Sequence, residues 1–156
     1  MKNSTSTIYH LDSIDKKIIY MLMDNAKTSL AIISKEIGIS TTAVHQRIKK
    51  LEQAGVIENS ISFLNPKKIG YGVISYIGVY LDQPHFYDSV IRSITEINEV
   101  VEAHCTTGNY TVFLKVLCTD NDHLMSILKR LQKLDGITRT ETYISLEQSI
   151  NRQLKV

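Results

Sequence analysis

Two hydrophobic periodicities divide the chain into a helical first part and a second part in which strands and helices alternate. In residues 11–53, apolar side chains recur every three or four positions, the spacing of helices with one buried face. The pattern predicts one helix beginning near Asp12, one ending at Gly38 and one running from Ser40 to Gly55. Three such helices can bury their apolar faces together, so we expect a tri-helical domain.

The second part contains four extended segments and two helical stripes. We predict strands at 73–82, 100–107, 111–119 and 137–146, and helices at 86–97 and between Asp120 or Asp122 and Gly136. This order, βαββαβ, is typical of a ferredoxin-like domain, an antiparallel four-stranded sheet with two helices on one face. The expected fold class is α+β, with an N-terminal three-helix helix-turn-helix (winged-helix-like) domain and a C-terminal ferredoxin-like domain.

A linker joins the two parts. The β-branched run 56–64 predicts a strand, and Pro66 ends it because proline has no amide hydrogen for a sheet and restricts the residue before it. The expected division is a helix-turn-helix domain at 1–55, a linker strand and hinge at 56–70, and the ferredoxin-like domain at 71–156.

The sheet face without helices should carry tyrosines and aliphatic residues from several strands. Such a patch is larger than a monomer usually leaves in water. We therefore predict a homodimer through this face; the alternative is that bent strands or the terminal segment cover it.

Composition narrows the class of protein. A 156-residue chain with 43% hydrophobic and 22% charged residues is long enough for one large or two small soluble domains. Its two cysteines, Cys105 and Cys118, are too few for a disulfide framework or a zinc site. The start MKNSTSTIYH lacks the apolar core of a secretory signal. We expect a cytoplasmic protein with no metal, cofactor or membrane partner.

The third predicted helix carries polar side chains on one side and apolar side chains on the other. At about 100° per residue, Gln46, Lys49 and Gln53 fall within roughly 40° of Thr42. The opposite side carries Val44, Ile48 and Leu51. No carboxylate occurs in residues 41–50, and residues 1–65 carry eight Lys or Arg against six Asp or Glu, whereas residues 66–156 carry ten of each. A helix with this polar side can read a DNA major groove, although an ordinary solvated amphipathic helix would also fit the pattern.

Four segments resemble the Lrp/AsnC family of feast/famine transcriptional regulators: LDSIDKKIIYML, ISTTAVHQRIKKLEQAGVI, TGNYTVFLKV and GITRTETYISLE. The resemblance covers nearly the whole chain. It implies a bacterial transcriptional regulator of amino-acid-linked metabolism, with a domain for double-stranded DNA and a ferredoxin-like domain that forms homodimers and octamers. It also implies that a free amino acid binds between subunits as an effector.

The resemblance also implies two sets of site residues. For DNA they are Ser40, Thr41, Thr42, His45, Gln46, Arg47, Lys49 and Lys50. We expect His45 and Gln46 to face base edges, and the arginine and lysines to serve mainly phosphates. For the effector they are the loop Thr107, Gly108, Asn109, Tyr110 and Thr111, with Thr140, Thr142 and Tyr143 on the last strand.

Thr111 departs from the family pattern. Many relatives carry an aspartate there to meet the effector's ammonium group, whereas this chain offers a neutral hydroxyl. Either another group of the protein binds the ammonium, or the effector is a different kind of molecule, or the protein has no effector. With Ile144 and Leu146 nearby, an effector with an apolar side chain is favoured. In the linker, this chain has Glu58-Asn59-Ser60 where relatives often have a glycine followed by an aromatic residue. This departure disfavours strand pairing in the linker.

Three alternatives remain at this point. The protein could be a ligand-independent architectural DNA-binding protein, or an amino-acid sensor that acts on a partner protein. It could also be a tetrapyrrole-processing enzyme of the sirohaem decarboxylase type, in which histidines would matter. The five histidines show no metal-ligand spacing, and no catalytic motif occurs, which disfavours the enzyme. They are His10, His45, His85, His104 and His123.

Overall fold

The computed structural model describes residues 8–58 and 64–154. The described part of the chain divides into two compact units, the first comprising residues 8–58 and 151–154 and the second residues 64–150. None of the described helices is long and apolar enough to span a membrane.

The first unit consists of three helices: α1 (Ser13–Asp24), α2 (Leu30–Ile37) and α3 (Thr41–Gln53). Each begins after a polar residue whose side chain accepts a hydrogen bond from a free backbone amide. The sequence predicts two of these starts, near Asp12 and at Ser40. Ile18, Ile33 and Val44, one from each helix, are fully buried against one another. The three apolar stripes therefore form one core, and the predicted tri-helical domain is confirmed.

The segment between the units is described only in part. The strand predicted at 56–64 lies mostly on residues 59–63, which are outside the described residues. The predicted polar hinge is a turn of 3-10 helix at Pro66–Ile69, which ends at Gly70. Gly70 has a φ of 98°, a left-handed conformation that glycine adopts without a steric penalty.

The second unit follows the predicted βαββαβ order. Its elements are β1 (Val73–Leu81), α4 (Tyr87–Thr95), β2 (Val100–Cys105), β3 (Val112–Cys118), α5 (Asn121–Leu131) and β4 (Ile137–Ile144). The strands form one antiparallel sheet in the order β2-β3-β1-β4. This is the predicted ferredoxin-like arrangement.

The core of the second unit lies between one sheet face and the two helices. Alternate residues of β3, Val112 to Cys118, have no solvent exposure, and they pack with Ile77, Val90 and Ile127 from β1, α4 and α5. The intervening residues point to the other face, which we call the open sheet face. On β1 and β3 it comprises Ile74, Tyr76, Gly78, Tyr80, Phe113, Lys115 and Leu117. The predicted division into a helix-covered and an uncovered face is thus present in this unit.

Candidate nucleic-acid interface and ligand loop

The start of α3 is fixed by local hydrogen bonds. The Ser40 hydroxyl accepts the amide hydrogen of Ala43 at 3.1 Å, and the Thr41 hydroxyl donates to Ser34 of α2 at 3.4 Å. Gly38, with a φ of 79°, makes the turn between the two helices. The serine cap and the glycine turn, both predicted from the sequence, therefore set the geometry of the helix-turn-helix.

Most of the predicted DNA-binding residues share one exposed surface of α3. Val44 and Leu51 on the opposite side are completely buried, so the helix cannot rotate without losing its core contacts. The exposed residues are Ser40, Thr41, Thr42, His45, Gln46, Lys49 and Lys50. This surface presents hydroxyl, amide, imidazole and ammonium groups to solvent. It can donate hydrogen bonds to phosphates and base edges.

Arg47 differs from these residues because it is paired within its own unit. Its Nη1 atom lies 2.6 Å from Asp12 Oδ2 and 2.6 Å from Asp15 Oδ1, and 31% of its side chain is exposed. The backbone amide of Asp15 and then the guanidinium hold the pKa of the Asp12 carboxyl below its usual range. The two carboxylates raise the pKa of Arg47 in turn. The structure thus separates Arg47 from the seven residues with which the sequence grouped it.

A small depression lies beside this ion pair. It holds about 420 Å³ and combines residues before and within α1 with residues of α3: Tyr9, His10, Asp12, Asp15, Ala43, Gln46, Arg47 and Lys50. Its lining therefore includes both carboxylates and, through Gln46 and Lys50, part of the exposed polar surface.

In the second unit, the predicted effector loop joins β2 to β3. The Thr106 amide donates to the Thr111 carbonyl at 3.2 Å, and the Thr111 amide donates to the Val79 carbonyl at 2.9 Å. Between these anchors, Thr107, Gly108 and Asn109 are exposed. A Cβ atom at Gly108 would meet no atom within 4 Å, so the backbone there is open to approach from solvent.

Tyr110 turns back from this loop over the open sheet face. Its ring occupies the space beside Gly78, where a Cβ atom would lie 2.4 Å from Tyr110 Cδ1. The ring stacks on Phe113 at 5.7 Å and meets Tyr80 edge to face at 5.2 Å. Gly78 therefore makes room for Tyr110, and the aromatic packing holds the end of the loop on the sheet.

Glu141 is a site residue that the sequence reasoning missed. It lies opposite Gly78 in the pairing of β1 with β4. Its carboxylate accepts hydrogen bonds from the hydroxyls of Tyr110 at 2.9 Å, Tyr143 at 3.0 Å and Tyr80 at 3.0 Å. Arg139 also forms an ion pair with it. Glu141 therefore connects the loop, the central strand and the edge strand.

These contacts shift the pKa values of the groups involved. Hydrogen bonds from Tyr110 and then from Tyr143 and Tyr80 lower the pKa of Glu141. The pKa of Tyr110 is raised, first by its 2.7 Å contact with the Tyr143 hydroxyl and then by Glu141. Burial and then Glu141 raise the pKa of Tyr80. At neutral pH Glu141 is therefore a carboxylate, and Tyr80 and Tyr110 are neutral.

The three predicted effector residues of β4 do not share one face. Tyr143 lies opposite Tyr76 on the open sheet face, whereas Thr140 and Thr142 lie opposite Val79 and Ile77 on the helix side. The Thr140 hydroxyl accepts a hydrogen bond from Gln132 Nε2 at 3.3 Å. Side chains alternate along a strand, and this alternation in the sequence could have separated Tyr143 from the two threonines and grouped it with Glu141.

The described residues offer little catalytic chemistry. Among them, no group of three or more histidine, cysteine or acidic side chains could hold a metal ion. Burial raises the pKa of the Cys118 thiol to about 11, so it stays protonated in the core.

Family models match the two units separately, whereas known proteins match nearly the whole chain. Residues 11–58 match the family model for winged helix-turn-helix DNA-binding, and residues 74–154 match the Lrp/AsnC ligand binding domain. The regulatory protein AsnC of Escherichia coli (strain K12) is 38% identical over 148 residues, which cover 94% of this chain and 97% of AsnC. The HTH-type transcriptional regulator FL11 of Pyrococcus furiosus is 33% identical over 137 residues, 88% of this chain and 90% of FL11.

Solved structures agree with the fold. E. coli AsnC has a TM-score of 0.91 at 38% identity, covering 95% of this chain and 100% of that one. A transcriptional regulator from Neisseria meningitidis, solved as a complex with L-Met, has a TM-score of 0.86 over 92% of this chain and 94% of its own. Its identity is 22%, so this likeness shows the fold alone.

A helix-turn-helix unit joined to a ligand-binding unit defines the class: this protein is a DNA-binding transcriptional regulator. Its identity to AsnC over nearly its whole length is more specific. The chain belongs to the Lrp/AsnC family, which confirms the resemblance seen in the sequence. Because its relatives are named as regulators, it is a regulator and not an enzyme, and the sirohaem decarboxylase alternative is set aside.

Proposed function

We propose that the exposed surface of α3 reads duplex DNA in the major groove. His45 and Gln46 face base edges, Lys49 and Lys50 neutralise phosphates, and the helix start at Ser40, Thr41 and Thr42 meets the backbone. The observation that carries this proposal is the separation of α3 into a fully buried side and an exposed side without carboxylates in residues 41–50. A helix start also favours an anion, because its free amides and dipole are positive.

The salt dependence of DNA binding tests this assignment. Each phosphate contact adds about 0.9 to the slope of log affinity against log salt, so Lys49→Ala should flatten that slope by about this amount. Gln46→Ala, the matched neutral variant, should leave the slope unchanged and relax sequence preference. Binding that does not depend on salt would contradict a role for α3 in DNA binding and favour the sensor alternative.

We also propose that a free amino acid is the effector and that it binds against the loop 107–111 between subunits. The match of residues 74–154 to the ligand-binding model supports this, as does the L-Met complex of a relative with the same fold. Within this chain, the support is an exposed backbone at Gly108 whose amides and carbonyls are free to meet the charged ends of an amino acid. The neutral hydroxyl of Thr111 favours an effector with an apolar side chain.

A thermal-shift screen against the twenty amino acids tests the effector. A ligand at a hundredfold excess over its Kd should stabilise the protein by about 2.7 kcal/mol. Thr111→Asp restores the charge that many relatives carry. It should strengthen binding of the same ligand by about 1.5 to 3 kcal/mol, the difference expected for a hydrogen bond to a charged group. If neither protein responds to any amino acid, the ligand-independent architectural alternative is favoured.

The assembly we propose is a homodimer through the open sheet face, which builds further into octamers, in the cytoplasm. Tyr76 and Phe113 stack on this face with ring centroids 5.9 Å apart, and Ile74 and Leu117 extend the apolar area. Light scattering should give the mass of a dimer or octamer. Tyr76→Glu should produce monomers, because it places an unpaired charge in the interface. An unchanged mass would contradict this interface.

A further inference from the structure

Arg47 occupies an unusual position on α3. At about 100° per residue it lies roughly 40° from the fully buried Leu51 and roughly 100° from Gln46, near the middle of the exposed surface. Its side chain points towards α1 and reaches residues 35 and 32 positions earlier in the chain. Arg47 therefore lies on the flank of the helix–helix contact and not on the exposed surface.

Its two partners already form the hydrogen-bonded start of α1. The Asp15 amide donates to Asp12 Oδ1 at 2.7 Å, and the Asp12 amide donates to Asp15 Oδ2 at 3.3 Å. Arg47 takes the remaining oxygens, Asp12 Oδ2 and Asp15 Oδ1. All four carboxylate oxygens are thus partnered. The guanidinium completes the cap of α1 from another helix.

The burial of Asp15 makes this pairing hard to exchange for a phosphate contact. Only 6% of its side chain is exposed, so a departing arginine would leave its carboxylate with little access to water. Lys49 and Lys50 are exposed and reach phosphates without that cost. The charges on α3 therefore have two different environments.

We propose that Arg47 is a positioning residue that fixes α3 on the cap of α1, and that it does not neutralise a DNA phosphate. Together with the buried Val44 and Leu51, the guanidinium fixes the rotation of α3 and its position along its axis, and through them the directions of Gln46 and Lys49. Asp12 and Asp15 are positioning residues of the same kind, although they are acidic and lie beside a DNA-binding surface. This inference rests on the proposed role of α3 and revises the sequence-based role of Arg47.

The first test compares salt slopes. The probe is a duplex that the wild-type protein selects from a random-sequence pool. Arg47→Met should weaken DNA binding about tenfold at every salt concentration, because Arg47 is coupled to the DNA-reading residues through the position of α3. The slope of log affinity against log salt should stay unchanged. Lys49→Ala should flatten the slope by about 0.9. A flatter slope for Arg47→Met would overturn the inference. An unchanged slope for Lys49→Ala would instead contradict the proposed role of α3.

The second test asks whether removing a negative charge at Asp12 or Asp15 strengthens or weakens DNA binding. Asp15→Asn and Asp12→Asn keep side chains that can cap α1, and each removes a negative charge. If Arg47 serves phosphates, both variants should bind DNA more tightly, because the arginine is released and repulsion falls. If Arg47 positions α3, both should bind about fivefold more weakly, with the salt slope retained. Tighter binding by either variant would overturn the inference.

A double variant completes the design. Asp15→Asn combined with Arg47→Met should bind no more weakly than Arg47→Met alone, because both changes remove one contact. Additive losses would show that the two residues act separately and would overturn the inference. Circular dichroism checks that each variant is folded. If Arg47→Met does not fold, Asp12→Asn, a change at a side chain that is 51% exposed, still decides between the two roles, because one role predicts tighter and the other weaker DNA binding.

Discussion

Each unit contains a carboxylate cluster that holds its functional segment, and the two clusters are built differently. In the first unit, Asp12 and Asp15 share one guanidinium, Arg47, from α3, the helix that we propose binds DNA. In the second, one carboxylate, Glu141, accepts hydrogen bonds from three tyrosines, one of them in the loop 107–111 that we propose binds the effector. The first cluster joins two helices by charge. The second joins a loop to a sheet mainly by neutral donors.

The difference concerns which force sets the position of each segment. Asp15 is nearly inaccessible to water, so its charge requires Arg47. Glu141 is 26% exposed, and water can replace a lost donor there. The ring of Tyr110, in contrast, fits closely over Gly78. We infer that α3 depends on an ion pair in addition to its buried apolar side, whereas the loop depends on packing.

Gly78→Val should reduce the free energy of unfolding most, since it disrupts the packing on which the position of the loop depends. The new Cβ atom would lie within 2.6 Å of three ring atoms of Tyr110, so the ring must leave its site. Overpacking of this kind costs about 3 kcal/mol in the free energy of unfolding. Hydrogen exchange of the β1 and loop amides measures this loss of stability. Gly108→Ala, where a Cβ atom has open space, should change little, and equal effects for both would contradict the comparison.

Arg47→Met tests the charged cluster and should have the next largest effect. It leaves the Asp15 carboxylate without its side-chain partner, at a cost of about 2 kcal/mol in the free energy of unfolding. Hydrogen exchange in α1 and α3 should accelerate while the second unit stays unchanged. Adding Asp15→Asn should recover part of the loss, because no buried charge then lacks a partner. A loss spread over both units would contradict this account.

Ser40→Ala should have a smaller effect, confined to the first unit. It removes the hydroxyl that accepts the Ala43 amide hydrogen, and such caps contribute about 1 kcal/mol. Ser40→Asp restores the cap and should recover stability. Because it places a negative charge where we propose a phosphate, it should still weaken DNA binding. Thermal melting and DNA binding of both variants separate the two roles.

The smallest expected effect is that of Glu141→Gln on the stability of the second unit at acid pH. The pKa of Glu141 is depressed below its ordinary value of 4.5, so its contribution is present above that value and is lost as pH falls through the folded-state pKa. Glu141→Gln should therefore reduce the fall in stability of this unit below about pH 4.5. Urea unfolding followed by tyrosine fluorescence at several pH values measures it. An unchanged acid dependence would exclude Glu141 as its source.

Local signals in the sequence predicted the helices and strands, and they predicted which residues of α3 are exposed. The caps at Asp12 and Ser40 and the glycine turn at Gly38 involve residues a few positions apart, so their chemistry can be recognised without a fold. The alternation in β3 likewise assigned four residues to the core. On α3, the helical angle of Arg47 already indicated the edge of the buried side, but its charge suggested DNA.

The chain by itself therefore determined where helices and strands begin, which faces are apolar and which family the protein resembles, because these follow from spacing within one element. Only the tertiary structure decided what Arg47 and Glu141 contact. The arginine meets carboxylates from a different helix, and Glu141 meets Tyr80 and Tyr110 through the pairing of β1 with β4. A shift of one residue in that pairing would move every side chain of β4 to the other face, so the partners depend on the assembled sheet.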